Sequence, residues 1–167
     1  MKLDPAILAL IKGPVAMSVA TRDATHVPSL CHAYGCRWQA KEQVLRLFVL
    51  ADEAQPLLAD LAANGEIAAV FSDVRSFRSL QIKGNDGRAA PFDAQDARER
   101  ARHYRQTSAE LVALGYPEGP AQGYFSAPES GPFVTLVFRP RDVFQQTPGP
   151  GAGQRLTDLA DFAAAAA

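Results

Sequence analysis

The chain has 167 residues, 47% of them hydrophobic and 21% charged, with a net charge of −1. That length suits one domain with a real core, and the balanced charge excludes recruitment to nucleic acid or an anionic membrane by the overall field. No apolar run approaches the ~20 residues needed to span a bilayer, and no signal peptide is expected. Two cysteines without a secretion signal fit a reducing, cytoplasmic setting.

Asp4-Pro5 opens a first helix, because Asp can cap and Pro suits the first helical position. Gly13-Pro14 stops it. Val15 to Thr21 reads as a strand, Asp23-Ala24-Thr25 as a turn, and Val27 to Trp38 as a second strand bent at Gly35. Val44 to Leu50 is a short, continuous apolar run of the kind buried strands show. Gln55 to Ala63 is a short helix with Pro56 in its first turn and Asn64-Gly65 at its end. Ile67 to Phe71 is another buried strand.

Phe77 to Gly84 alternates. Phe77, Ser79, Gln81 and Lys83 share one face, and Arg78, Leu80 and Ile82 share the other. With Leu80 and Ile82 in a core, Ser79, Gln81 and Lys83 are offered to something polar outside it. Asn85-Asp86-Gly87 is a hairpin signal. Asp93 caps a longer helix reaching about Leu114, whose inner stripe is expected to be Ala97, Ala101, Tyr104, Ser108, Leu111 and Val112. A Pro/Gly-rich loop from Pro117 to Pro132 precedes strands at Phe133–Phe138 and Asp142–Gln146. The domain is read as residues 1–147, with 148–167 as a C-terminal tail that docks on a neighbour. Six or seven short antiparallel strands with three helices predict a mainly β fold, a small barrel with helices on its ends or flank.

Other chemistry-bearing residues read as structural. Cys31 and Cys36 are five apart, on opposite faces of a regular strand, with no second ligand pair, so buried free thiols are expected rather than a metal site. His32 is expected to be a hydrogen-bonded structural residue, and His26 and His103 to be solvated. The arginines at 98, 100, 102 and 105 spread around their helix, which favours a solvated face over a nucleic-acid site. No serine has nucleophile-elbow context.

The order of these segments resembles the FMN-binding split barrel of the pyridoxamine 5′-phosphate oxidase superfamily. The resemblance rests on Ser18-Val19-Ala20-Thr21 with Val27-Pro28, on Leu47-Phe48-Val49-Leu50 followed by the helix ending at Asn64-Gly65, on Ile67 to Phe71, and on Arg78-Ser79-Leu80-Gln81-Ile82-Lys83-Gly84. Phe138 to Gln146 and Arg155 to Asp158 add a fainter match. It implies an antiparallel split β-barrel that dimerises with itself and holds FMN in the groove between two copies, where hydride passes through the flavin N5. The second-strand Arg and Lys of the true oxidases correspond to Cys31 and Cys36. Their Ser-Arg-Lys run corresponds to Gln55-Pro56-Leu57. Gln145 stands for a Trp and Thr157 for a His. These departures argue against pyridoxal phosphate synthesis.

The phosphate would then be met by Arg75, Arg78 and Lys83, with N–H groups at the Gln55 helix start as a further source. Asp52 and Glu53 beside that helix favour the arginines. Ser79 and Gln81 would bond the polar edge of the ring. The implied function is a flavin-dependent oxidoreductase of an unassigned small-molecule substrate, with no nucleic-acid or membrane partner. The alternatives are a binder of haem or another anionic cofactor without turnover, and a cofactor-free dimeric scaffold.

Overall fold

A computed structural model describes residues 3–126 and 131–156. The elements in chain order are α1 (Pro5–Lys12), β1 (Val15–Arg22), β2 (Pro28–His32), β3 (Cys36–Gln39), β4 (Val44–Leu50), α2 (Gln55–Asn64), β5 (Ile67–Asp73), β6 (Ser79–Gly84), β7 (Arg88–Pro91), α3 (Ala94–Ala113), α4 (Glu118–Phe125), β8 (Phe133–Phe138) and β9 (Asp142–Gln145). They form two antiparallel sheets, ordered β2-β1-β5-β6-β9 and β3-β4-β8-β7. Met17, Val19, Phe71, Leu80 and Ile82 from the first sheet and Leu45, Leu47, Leu136 and Phe138 from the second share one core. This is the expected antiparallel split barrel. No described helix is long and apolar enough to cross a membrane.

Local signals account for most boundaries. The Asp4 carboxylate accepts from the Ala6 N–H at 2.7 Å, capping α1. Gly65 ends α2 at φ 70°, where its N–H donates to the Leu61 carbonyl. The Thr21 hydroxyl donates to the buried Asp60 carboxylate at 2.7 Å, tying α2 to β1.

The expected strand from Val27 to Trp38 divides into β2 and β3, which belong to different sheets. At the crossing, the Ala33 N–H donates to the Met17 carbonyl at 3.1 Å and the Tyr34 N–H to the Phe48 carbonyl at 2.8 Å. Adjacent residues thus serve different sheets. Gly35 follows at φ 151°, and a Cβ there would lie 3.0 Å from the Phe48 ring and 3.2 Å from the Arg100 Cα. Only glycine fits. The break also removes the expected opposition of the two cysteines, since Cys31 and Cys36 both enter the core. They are free thiols, and burial pushes each up to about 12.

Residues 118–125, expected as loop, form α4 against α3 and bury Ala121 and Phe125. Gly119, Pro120 and Gly123 lower its helix propensity, and packing overrides them. Of the described tail, Leu156 donates its N–H to the Val143 carbonyl at 2.8 Å, so this part folds back on its own β9. Residues 157–167 lie outside the described residues.

The inner side of α3 is polar rather than the expected apolar stripe. It buries Asp96, His103, Thr107 and Ser108. Asp96 is 0% exposed and receives Arg37 Nε at 2.8 Å, Arg46 Nε at 3.0 Å and the Thr135 hydroxyl at 3.0 Å. Arg37 also pairs with Asp93 at 2.6 Å. Arg37 and Arg46 sit opposite each other on β3 and β4. The start of α3 is therefore clamped to the second sheet by charge.

Burial opposes the charge on Asp96, but hydrogen bonds from Arg46, Thr135 and the Asp93 N–H outweigh it and hold the carboxyl below the usual carboxylate range. Its stabilisation is complete above about pH 4 and is lost as pH falls further. Asp96→Ala strands two buried guanidinium groups and is expected to lower unfolding free energy by about 3–5 kcal/mol, measured by urea denaturation at pH 7. A loss below 1 kcal/mol would show that the clamp is not holding the helix.

Candidate functional site

The outer face of the five-stranded sheet carries the predicted site strand. Ladder register places Ala16, Ser18 and Ala20 of β1 beside Ser72, Val70 and Ala68 of β5, which in turn face Ser79, Gln81 and Lys83 of β6. Leu30 and His32 flank this floor on the β2 side, and Phe144 on the β9 side. On β1 and β5 the floor is made of short side chains, and it runs about 13 Å along β1 from Ala16 to Ala20. Leu30 at its edge is 69% exposed.

A hollow of about 200 Å³ opens at one end of the floor, lined by Ala20, Arg22, Glu66, Ala68 and Lys83. A groove of about 420 Å³ opens at the other end. Val74, Phe77, Leu111, Tyr116, Tyr124 and Phe125 line it, together with Ala16 and Ser72 of the floor. Phe77 is 68% exposed and has φ 57°. It sits in the β5–β6 turn, so the regular strand begins at Ser79 and Phe77 leaves the face it was expected to share.

The six candidate residues divide. Gln81 and Lys83 point out from the floor, half-buried. The Lys83 ammonium lies 4.5 Å from the centre of the Phe144 ring. Ser79 is buried, and its hydroxyl lies 2.8 Å from both the Phe77 carbonyl and the Ser72 hydroxyl. It donates to the first and accepts from the second. Arg75 is in the β5–β6 turn, paired with Glu110 of α3. Arg78 immediately precedes β6 and is half-buried. Gln55 starts α2 and donates from its Nε2 to the Ala51 carbonyl at 3.0 Å. Arg75, Arg78 and Gln55 line neither hollow.

Sequence reasoning missed Arg22 and the tyrosines of the groove. Arg22 closes β1 and reads in isolation as a hairpin residue. Tyr116 precedes α4 and Tyr124 lies in it, where the sequence predicts a loop. The histidines also differ from expectation. His103 is 2% exposed rather than solvated. The His32 ring packs edge-on to Tyr34 at 4.8 Å, but its Nε2 is buried with no hydrogen-bond partner among the described residues. The Phe125 ring lies 6.0 Å from His32 and 6.2 Å from His103. Among the described residues, no cluster of three His, Cys, Asp or Glu side chains is placed to hold a metal ion.

No family model matches the sequence, and no curated protein matches it. Solved structures do. HupZ of Group A Streptococcus matches with a TM-score of 0.53 at 18% identity, over 90% of this chain and 99% of that one. The chain has the split-barrel fold of the pyridoxamine 5′-phosphate oxidase-like proteins. A candidate pyridoxamine 5′-phosphate oxidase from Lactobacillus delbrueckii matches at 0.49 and 12% identity, over 86% and 93% of the two chains. HutZ, the heme storage protein from Vibrio cholerae, matches at 0.47 and 13%, over 87% and 95%. At these identities the split-barrel likeness extends to the fold alone.

Two measurements check these placements. Ser79→Ala is expected to lower stability by about 1 kcal/mol, because its hydroxyl is used inside the sheet. Full stability with weakened flavin binding would return Ser79 to a ligand site. Burial, assisted by Arg102 and His32, pushes His103 down to about 4. The unfolded chain then takes up a proton that the folded chain refuses, so unfolding free energy is expected to fall as pH drops from about 6.5 to about 4. His103→Leu should flatten that segment of the stability–pH curve. An unchanged slope would assign it to other groups.

Proposed function

We propose that two copies of this split barrel face each other through the outer side of the five-stranded sheet and hold FMN in the seam, as a flavin-dependent oxidoreductase of a small-molecule substrate. The observation that carries this reading is the floor of Ala16, Ser18, Ala20, Ala68 and Val70. It is made of small groups, α4 reaches it only at the Ala16 end, and Ser18 in its middle is exposed. A planar ring can lie close to such a surface. Outward Gln81 offers an amide to the polar edge of a ring, and Arg22 and Lys83 supply positive charge at the end of the floor. Exposed Val27 and Leu30 at the β2 edge give a second copy apolar surface to cover.

FMN, when bound, supplies hydride transfer. The residues of this chain bind it, orient it and exclude water from it. Among the described residues no side chain stands out on this face as an acid or base.

Haem is the second reading, favoured by one observation. His32 lies at the rim of the same floor, and its Nε2 has no hydrogen-bond partner among the described residues. That nitrogen is buried, so an iron would meet it only after the groups packed around the ring moved aside.

The visible spectrum of the purified protein and the identity of its released chromophore separate the readings. A yellow protein releasing FMN supports the first, and a Soret band supports the second. A colourless protein that ignores both added FMN and added haem would leave a dimeric scaffold. Val70→Arg puts a charge in the middle of the floor and is expected to yield a folded monomer by sedimentation that no longer binds FMN. A dimer that survives this change would locate the seam elsewhere.

A further inference from the structure

We propose that Arg22 and Lys83 form a receptor for a phosphate-sized anion at the open end of the five-stranded sheet, and that this receptor takes the terminal phosphate of the ligand lying on the floor. The inference rests on the FMN reading for the identity of the ligand, and on the geometry below for the receptor itself.

The first argument is elimination. A phosphate held against this sheet needs cations or aligned N–H groups. The β2 strand supplies none, since Cys31 is turned into the core and Pro28, Leu30 and His32 face outward. The start of α2 has no side-chain cap, but exposed Asp52 and Glu53 stand beside it and repel an anion. Arg75 is engaged by Glu110, and Arg78 lines neither hollow. Arg139 pairs with Asp86 at 2.9 Å. Arg141 and Arg155 share Asp142.

Arg22 and Lys83 are different. Among the described residues neither has a carboxylate partner. The Arg22 guanidinium makes a 3.2 Å bond to the Asp23 carbonyl, and Lys83 rests on the Phe144 ring. Both line the same hollow of about 200 Å³.

The second argument is register. Ala20 of β1 faces Ala68 of β5, and Ala68 faces Lys83 of β6. Arg22 stands two residues beyond Ala20 on the same face. Lys83 therefore ends the row of two alanines, and Arg22 stands one step further along β1, diagonally across them. Adjacent strands lie about 4.8 Å apart, so Lys83 sits about 10 Å across from β1. Both side chains are long enough to converge above the alanines. Glu66 also lines the hollow. It leaves two positive charges against one negative, and it favours one anionic group over a polyanion.

The test compares FMN with riboflavin, which carries the same ring without the phosphate. Binding to the purified full chain, stripped of any bound chromophore, is read by quenching of flavin fluorescence. The parent chain is expected to bind FMN at least tenfold more tightly than riboflavin, and inorganic phosphate should compete with FMN but not with riboflavin. Arg22→Gln and Lys83→Gln should each remove about tenfold or more of the FMN affinity while leaving riboflavin unchanged. Arg98→Gln, on the far surface of α3, should change neither. Thermal melts establish that the variants remain folded.

Variants that keep the full preference for FMN would overturn the receptor. A parent chain that binds no flavin, yet is stabilised thermally by inorganic phosphate in a manner lost in both variants, would uphold the receptor and sink FMN as its ligand. A chain indifferent to flavin and phosphate alike would end both.

Discussion

The barrel can close only if each strand of the five-stranded sheet turns one full side inward. Met17, Val19, Phe71, Leu80 and Ile82 fill that interior, each essentially hidden from solvent. Because side chains alternate along a strand, the positions between them have no choice of direction. Ala16, Ser18, Ala20, Ala68 and Val70 are outside because their neighbours are inside. A slip of one residue would put alanines in the core and phenylalanine in water. Filling the core and presenting the candidate site are thus one event.

The second sheet meets a different constraint. Its outer side is covered by α3, and the contact is made by charge as well as by apolar packing. Two arginines on neighbouring strands converge on one hidden aspartate, which also belongs to the cap of the helix it anchors. Such a network contributes less net stability than its Coulomb energy suggests, because three ions have left water. Its value lies in direction. A greasy helix face can slide, whereas Asp96 accepts two guanidinium groups in one arrangement only. With α3 fixed there, α4 and its aromatic side chains are held over one end of the open floor.

The two sheets are joined by a short crossing at Ala33 to Gly35. Here the backbone amides of consecutive residues bond to different sheets, and a side chain at Gly35 would strike Phe48 and the α3 backbone. This step divides what looks like one long strand. It also gathers both cysteines on the inside, where neither is available to a ligand.

Much was legible in the residues alone. Alternation of Leu80 and Ile82 with Gln81 and Lys83 specified which side of β6 is open, because period-2 burial follows from strand geometry wherever one face is packed. Asp4, Asp93 and Asn64-Gly65 marked helix ends, because capping is satisfied by residues a few positions away. What could not be read depends on partners far along the chain. Whether Arg75 is available was decided by Glu110 on another element, and the buried His103 ring meets Phe125 of α4. Arg22 and Lys83 are 61 positions apart in the sequence and line one hollow only because β5 pairs with both β1 and β6. Local order arises from interactions across a few residues, while a shared hollow is created by strand pairing, which no short window of sequence contains.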